Sequence, residues 1–204
     1  MKLSALSQLC QQMLNCQKCA LARNRGKVVP GEGAEDARVV FIGEAPGWHE
    51  DQQGRPFVGP AGQFLDQLLA SVGLKRSAVY ICNVVKCRPP ENRDPLPGEI
   101  EACRQWLDGQ LGLIKPKLIV TLGRYSMARY FSGKAISKAH GTWVKRHNVI
   151  YYAMYHPAAA LHQQSLRRTI EEDMRQVPNL LAQADALAEE EEVEAAKPQQ
   201  LSMF

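Results

Sequence analysis

The chain has 204 residues, 45% of them hydrophobic, with a formal charge of +4 and six cysteines; it can bury one sizeable core and needs no second domain. The pattern after Met1 is broken by Gln8, Gln11 and Gln12, which excludes a continuous apolar signal peptide or membrane span there and leads us to expect a cytoplasmic monomer with reduced cysteines and no membrane partner. From Ala182 to Phe204 six acids face one base, Lys197, so the remaining body carries about +9, a balance suited to a polyanionic partner.

In chain order, the first expected element is an amphipathic helix, with Leu6, Cys10, Met13 and Leu14 at helical spacing. Four β-like runs follow, Arg38–Ile42, Val79–Val84, Leu118–Leu122 and Val149–Met154, each succeeded by a loop and a helical pattern. The helices read as Gly62–Val72, with an apolar stripe of Leu65, Leu68, Leu69 and Val72, then Pro97–Leu111, Arg124–Phe131 and Ser165–Leu181. This alternation predicts an α/β fold, a central four-stranded parallel sheet with helices on both faces, over residues 1–181. After Leu181 the composition turns to Ala, Gln and Glu, which predicts a frayed helix and an acidic, disordered linker over 182–199, followed by a terminal peptide, 200–204.

Four cysteines stand out by spacing: Cys16 and Cys19 form a C-x2-C pair, while Cys87 and Cys103 are remote singles. One tight pair and two singles suit a four-thiolate iron–sulfur cluster. Structural zinc more often draws on two compact pairs, yet spacing alone leaves zinc open, as it does six buried thiols with no metal. Cys10 and Cys82 fit the last description, because each falls within an apolar pattern.

In parallel sheets ligands bind where strands end, so the residues after each run carry the function. The first run opens into Gly43-Glu44-Ala45-Pro46-Gly47, the second ends in Asn83 and continues to Lys86-Cys87-Arg88-Pro89-Pro90, and the fourth leads to His156-Pro157. Glu44, Asn83 and His156 are therefore expected to converge from three loops on one edge of the sheet.

At these residues, together with Glu50-Asp51, Gly54-Arg55-Pro56-Phe57-Val58-Gly59, His156-Pro157-Ala158 and the four cysteines, the chain resembles the iron–sulfur uracil-DNA glycosylases, the fourth family of that superfamily. The resemblance runs from Leu3 to about Leu181. It implies a single three-layer α/β/α sandwich and a structural [4Fe-4S] cluster held by Cys16, Cys19, Cys87 and Cys103. It also implies a monofunctional enzyme that flips uracil out of single- or double-stranded DNA and hydrolyses its N-glycosidic bond. Free uracil and an abasic site result, which initiates base excision repair of deaminated cytosine. A relative that traps DNA covalently has an inserted basic loop and a glutamine in its first motif; this chain has no insertion between Cys87 and Cys103 and carries Ala45, so turnover is expected. His140 before Gly141 departs from the Arg-Gly usual in relatives, and Cys82 stands where a small or hydroxyl residue is common.

Chemistry supplies roles for the same residues. A flipped base needs a flat wall, for which Phe57 is the candidate, alone as readily a core aromatic but set here in a glycine-flanked loop. Asn83 can accept from uracil N3–H and donate to O4, which cytosine cannot match; taken alone it could equally end a strand through a local bond. His156 is the expected donor to O2 as negative charge builds on the leaving base, with Gly43 and Ala45 shaping the pocket. Related families place an Asp to orient water where Ala45 stands, which leaves Glu44 to position water or bond backbone amides. Arg55, Lys86, Arg88 and Arg93 are candidate phosphate contacts, and Leu161 is the candidate wedge into the gap left by the base. The final residues Gln200, Leu201, Met203 and Phe204 resemble a peptide that docks in the bacterial sliding clamp. Two other readings remain at this stage: a cluster-bearing nucleic-acid-binding module without catalysis, and a zinc-stabilised binding protein.

Overall fold

A computed structural model describes residues 3–196. Gln200, Leu201, Met203 and Phe204 of the terminal peptide, and the end of the linker before them, lie outside the described residues. In chain order the helices and strands are α1 (Ala5–Leu14), β1 (Glu32–Gly33), β2 (Val39–Gly43), α2 (Trp48–Gln53), α3 (Pro60–Ser71), β3 (Tyr80–Asn83), α4 (Pro97–Ile114), β4 (Leu118–Leu122), α5 (Arg124–Ala128), α6 (Ile136–Ala139), β5 (Trp143–Arg146), β6 (Val149–Met154), α7 (Ala158–His162), α8 (Leu166–Met174) and α9 (Val177–Ala196). No helix among the described residues is long and apolar enough to cross a membrane.

The sheet runs β1-β3-β2-β4-β6-β5. The four strands expected from sequence are its centre and are mutually parallel, while β1 and β5 pair antiparallel at the two edges. The sheet is thus mixed and six-stranded rather than four-stranded. The edges leave little trace in sequence because β1 is only Glu32-Gly33 and β5 is a mostly exposed Trp-Val-Lys-Arg, neither of which forms an apolar run. The central strands do form such runs because helices cover both sheet faces.

One face presents Val40, Ile42, Cys82 and Ile119 to a core shared with Leu6 and Met13 of α1 and Leu107 of α4. The other presents Val39, Phe41, Val120 and Met154 to Leu65 and Leu68 of α3, Ile170 of α8 and Val177 of α9. Adjacent residues of one strand feed opposite cores, as the two-residue period requires. Local signals set the helix starts: Ser4 Oγ accepts from the Ser7 N–H at 3.0 Å, and α3 and α4 each begin with Pro at a position that needs no donor.

Two expectations at the C-terminal end are corrected. The helix expected over Ser165–Leu181 is divided into α8 and α9, because Pro178 cannot supply an N–H to a continuous helix and restricts the residue before it. The packed body also continues past Leu181. Ala184 is buried against the second core and Asp185 pairs with Arg38, so the acidic segment is helical through Ala196 rather than a disordered linker from 182.

Candidate active site and cysteine-lined cavity

Reading outward along the sheet, order reverses between β2 and β4, the switch point at which loops of open parallel sheets part to form a crevice. A cleft of about 680 Å³ lies there, within the roughly 300–1,000 Å³ typical of small-ligand sites. Glu44, Asn83 and His156, expected to converge, thus line one cleft, and Ala45 and Phe57 line it with them.

Gly43 lies opposite Asn83 in the β2–β3 register. A Cβ on Gly43 would stand 2.3 Å from Asn83 Oδ1 and 2.6 Å from Phe57 Cζ, so the missing side chain makes room for both groups. Asn83 is 1% exposed, and its Oδ1 is buried with no hydrogen-bond partner among the described residues. A buried acceptor left unpaired costs about 1–3 kcal/mol, which marks it as a group that awaits a donor.

Phe57 is buried with φ of +50°, a backbone region strained for an aromatic residue. Glu50 holds the loop in this shape. Its Oε1 accepts from the N–H groups of Val58 and Gly59 at 2.8 and 2.9 Å, and its Oε2 accepts from Gly47 N–H at 3.1 Å. One carboxylate thus ties the loop after β2 to the loop before α3. Sequence reading identified the Glu50-Asp51 motif but gave Glu50 no task. Asp51 does parallel work, accepting from the Gly26 N–H with both oxygens at 2.9 Å.

The His156 ring stacks on Phe57, centroids 5.4 Å apart and planes 27° from parallel. Its Nδ1 accepts from the Ala158 N–H at 3.1 Å, so a neutral ring carries its proton on Nε2 and is a donor there. Burial pushes its pKa down to about 4, against the opposing pull of the Glu50 charge. Glu44 is half-buried, and its carboxyl is pushed above the usual range by burial and by the neighbouring Asp94 charge, with Arg124 acting in the opposite sense.

The DNA-contact candidates separate. Lys86 is corrected: it is 1% exposed and its Nζ donates to the Asn83 carbonyl at 2.8 Å and to Gln110 Oε1 at 2.7 Å, so no phosphate can reach it. Arg55 is exposed but outside the cleft lining, with its guanidinium on Glu32. Arg93 lines the cleft with both terminal nitrogens on Glu99. Arg88 donates to Asn92, itself a cleft residue. Leu161 is 52% exposed in α7, beside the cleft-lining Ala158, Ala159 and His162. Arg124, at the start of α5 and paired with Asp94, is a cleft residue that the sequence reading missed because it left out the loop after β4. His162 was passed over as well. His140 instead bonds Asp173 of α8 at 3.0 Å, away from the cleft.

On the other side of β3, Cys16, Cys19, Cys87 and Cys103 line a single cavity with Met13, Arg25, Lys86 and Trp106. Three sulfurs receive N–H donors: Cys16 from Trp106 Nε1 at 3.3 Å, Cys87 from Arg25 Nη1 at 3.4 Å, and Cys103 from the Lys86 backbone at 3.3 Å. Burial pushes the Cys87 thiol up and the Cys103 thiol up to about 11. No group of three His, Cys, Asp or Glu side chains among the described residues is gathered closely enough to hold one ion. Cys82 stays in the first core and Cys10 packs beside it, its sulfur 3.8 Å from the Tyr80 hydroxyl.

Residues 30–177 match the family model of the uracil DNA glycosylase superfamily. The chain is 45% identical to the type-4 uracil-DNA glycosylase of Sulfurisphaera tokodaii, over 87% of this chain and 86% of that protein. It is 43% identical to the type-4 enzyme of Archaeoglobus fulgidus, covering 87% and 94% of the two chains, and 43% identical to that of Thermotoga maritima, covering 84% and 92%.

Proposed function

Because the chain belongs to the uracil-DNA glycosylase superfamily, we propose that the cleft between the loops after β2, β3 and β6 receives an everted uracil, and that the four cysteines hold a [4Fe-4S] cluster. The protein is an enzyme of DNA repair that removes uracil by hydrolysing its N-glycosyl bond. The observation that carries the assignment of the cleft is the unpaired, buried Asn83 Oδ1. Uracil N3–H supplies the donor this oxygen lacks, while the Asn83 amide donates to O4. Cytosine offers an acceptor at N3 and a donor at C4, leaving both ends of the amide unpaired at about 1–3 kcal/mol each.

Phe57 provides the stacking face, and stacking on an aromatic contributes about 1–3 kcal/mol per base. As the bond to the sugar lengthens, negative charge gathers on the base and positive charge on the sugar. His156, held neutral, donates its Nε2–H to O2 and so favours the departing anion over the ground state. Glu44 orients the attacking water, with its protonation set by burial and the Asp94–Arg124 pair. Glu44→Gln is expected to lower the single-turnover rate about 10²-fold; a near-normal rate would remove any acid–base or water-orienting role. Arg88 and Arg124 contact phosphates at the mouth, and Leu161 fills the space the base vacates. The enzyme turns over as a monomer in the cytoplasm.

The cavity suits the cluster chemically. N–H donors on three sulfurs and the Arg25 cation offset thiolate charge, and metal binding would release the protons that burial retains on Cys87 and Cys103. Cys16 and Cys19 after α1, Cys87 in the β3–α4 loop and Cys103 in α4 would hold the cluster, which would cross-link these three segments. The decisive experiment incubates purified protein with single- and double-stranded oligonucleotides carrying one uracil, followed by alkaline strand cleavage and a visible spectrum. Free uracil and broad visible absorbance are expected. Binding without release of the base would mean a non-catalytic module, and colourless protein containing zinc would overturn the cluster.

We further propose that Gln200, Leu201, Met203 and Phe204 dock in the sliding clamp, on the strength of their order and their position beyond the acidic segment. Leu201→Ala with Phe204→Ala is expected to abolish clamp binding in a pull-down with uracil cleavage unchanged. Retained clamp binding would end the idea.

A further inference from the structure

Lys86 is an unusual residue to find sealed in a core. An ammonium group inside a protein is tolerated only where acceptors replace its water, and Lys86 has two, the Asn83 carbonyl at 2.8 Å and Gln110 Oε1 at 2.7 Å. Gln110 is itself fixed, because its Nε2 donates to the Pro30 carbonyl at 2.9 Å and to the Tyr80 hydroxyl at 2.8 Å. The chain of contacts therefore runs from α4 through Gln110 and Lys86 to the last residue of β3. At its other end the Lys86 backbone N–H bonds the Cys103 sulfur, and the Lys86 carbonyl accepts from Val29 N–H at 2.8 Å.

From this geometry we propose that Lys86 is a positioning residue for base recognition: its ammonium pins the Asn83 peptide and thereby aims the Asn83 side chain into the uracil cleft. The proposal rests on the reading of Asn83 given above and deepens it. An amide that must tell uracil from cytosine has to be held against rotation, and the Oδ1 has no hydrogen-bond partner among the described residues. Restraint must then come from the backbone. Parallel pairing fixes one side of Asn83 through Gly43, and the Gly43 and Glu44 carbonyls accept from Val84 and Val85 just beyond it. The Asn83 carbonyl is fixed by Lys86. Because the backbone N–H of Lys86 itself bonds the Cys103 sulfur, the same few residues join the cysteine-lined cavity to the base-reading amide.

The test is a double-mutant cycle on the holoenzyme with Lys86→Met, which keeps the stem and removes the donors, and Asn83→Ala. Lys86→Met alone is expected to lower the single-turnover rate at saturating uracil DNA about 10- to 100-fold, the effect of a displaced buried hydrogen-bonding group. Affinity for abasic product DNA and visible absorbance per protein should stay at the wild-type level. In the Asn83→Ala background the same change should cost less than about twofold, since the group being aimed is absent. Equal losses in both backgrounds, or no loss in either, would overturn the proposal. If Lys86→Met fails to fold, Gln110→Leu, which removes the second anchor and leaves the lysine, is run through the same cycle with the same criteria. Wild-type protein that releases no uracil would refute the functional reading itself, a different result from a cycle with additive losses.

Discussion

His156→Ala is expected to slow single-turnover release of uracil by about 10²–10³-fold, the usual cost of deleting one donor aimed at a developing anion. The reason is the tautomer. With Nδ1 accepting from Ala158 N–H, only Nε2 carries a proton, and that proton is available for O2. His156→Gln, which retains a donor, should recover part of the loss, and an alanine variant within a few-fold of wild type would show that the charge is stabilised elsewhere. The pH dependence follows in sign. The folded pKa of about 4 lies below the ordinary 6.5, so between those values the unfolded chain binds a proton that the folded chain refuses. The stability tied to neutral His156 is complete above pH 6.5 and is lost as pH falls through about 4. Melting temperatures between pH 7 and pH 4 should therefore decline more steeply in wild type than in His156→Ala. Activity should show no limb from His156 between pH 8 and 5, because the donor form persists there. Glu44, whose carboxyl is pushed upward by burial, contributes its own acid limb, and a Glu44→Gln profile separates the two.

Much of this site is legible in the amino-acid sequence, for a definite reason. Strands covered on both faces must be apolar throughout, so β2, β3, β4 and β6 announce themselves, and the polar residues that interrupt the pattern at their C-terminal ends are then conspicuous. Asn83 and His156 are found that way, and Gly43 and Phe57 through the glycine-rich phrases beside them. Contacts that depend on long-range packing are a different matter. Lys86 looks like any basic residue in a loop rich in Arg and Pro, and nothing local reveals that Gln110, about two turns beyond Cys103 in α4, will accept from its ammonium in the core. Glu50 likewise reads as an ordinary helix-start carboxylate, although it binds three backbone donors from two loops. Short edges such as β1 carry no periodicity to detect. The stretch after Leu181 reads as a frayed helix because a composition of Ala, Gln and Glu does not build a core, yet Leu180 and Ala184 are buried in the second core and Leu187 packs partly buried against it. Ala is both small enough to pack there and the strongest helix former.

Gly62→Ala is expected to damage fold and activity together, and the two losses have one cause. Gly62 is the third residue of α3, and a Cβ there would lie 1.9 Å from the Phe57 carbonyl oxygen and 2.1 Å from its carbon. These are backbone atoms, so no rotamer change relieves the clash. The loop cannot retreat freely, because Glu50 grips Val58 and Gly59, and the helix cannot retreat because Phe64, Leu65 and Leu68 are locked in the second core. Overpacking of this kind costs about 1–3 kcal/mol, sometimes more, and each kcal/mol lowers Tm by about 2–4 °C in a domain of this size. At temperatures where the variant remains folded, Phe57 would sit displaced from the base, and a shift of about 1 Å in a positioning group can cost about 10²-fold in rate. Gly112→Ala in α4 is the matched control, since nothing lies within 4 Å of a Cβ at that position. It should stabilise the protein by about 0.5–1 kcal/mol through helix propensity and leave uracil release unchanged. A Gly62→Ala protein that melts and cleaves like wild type would mean that the Phe57 wall is adjustable and that its strained backbone has no part in holding the base.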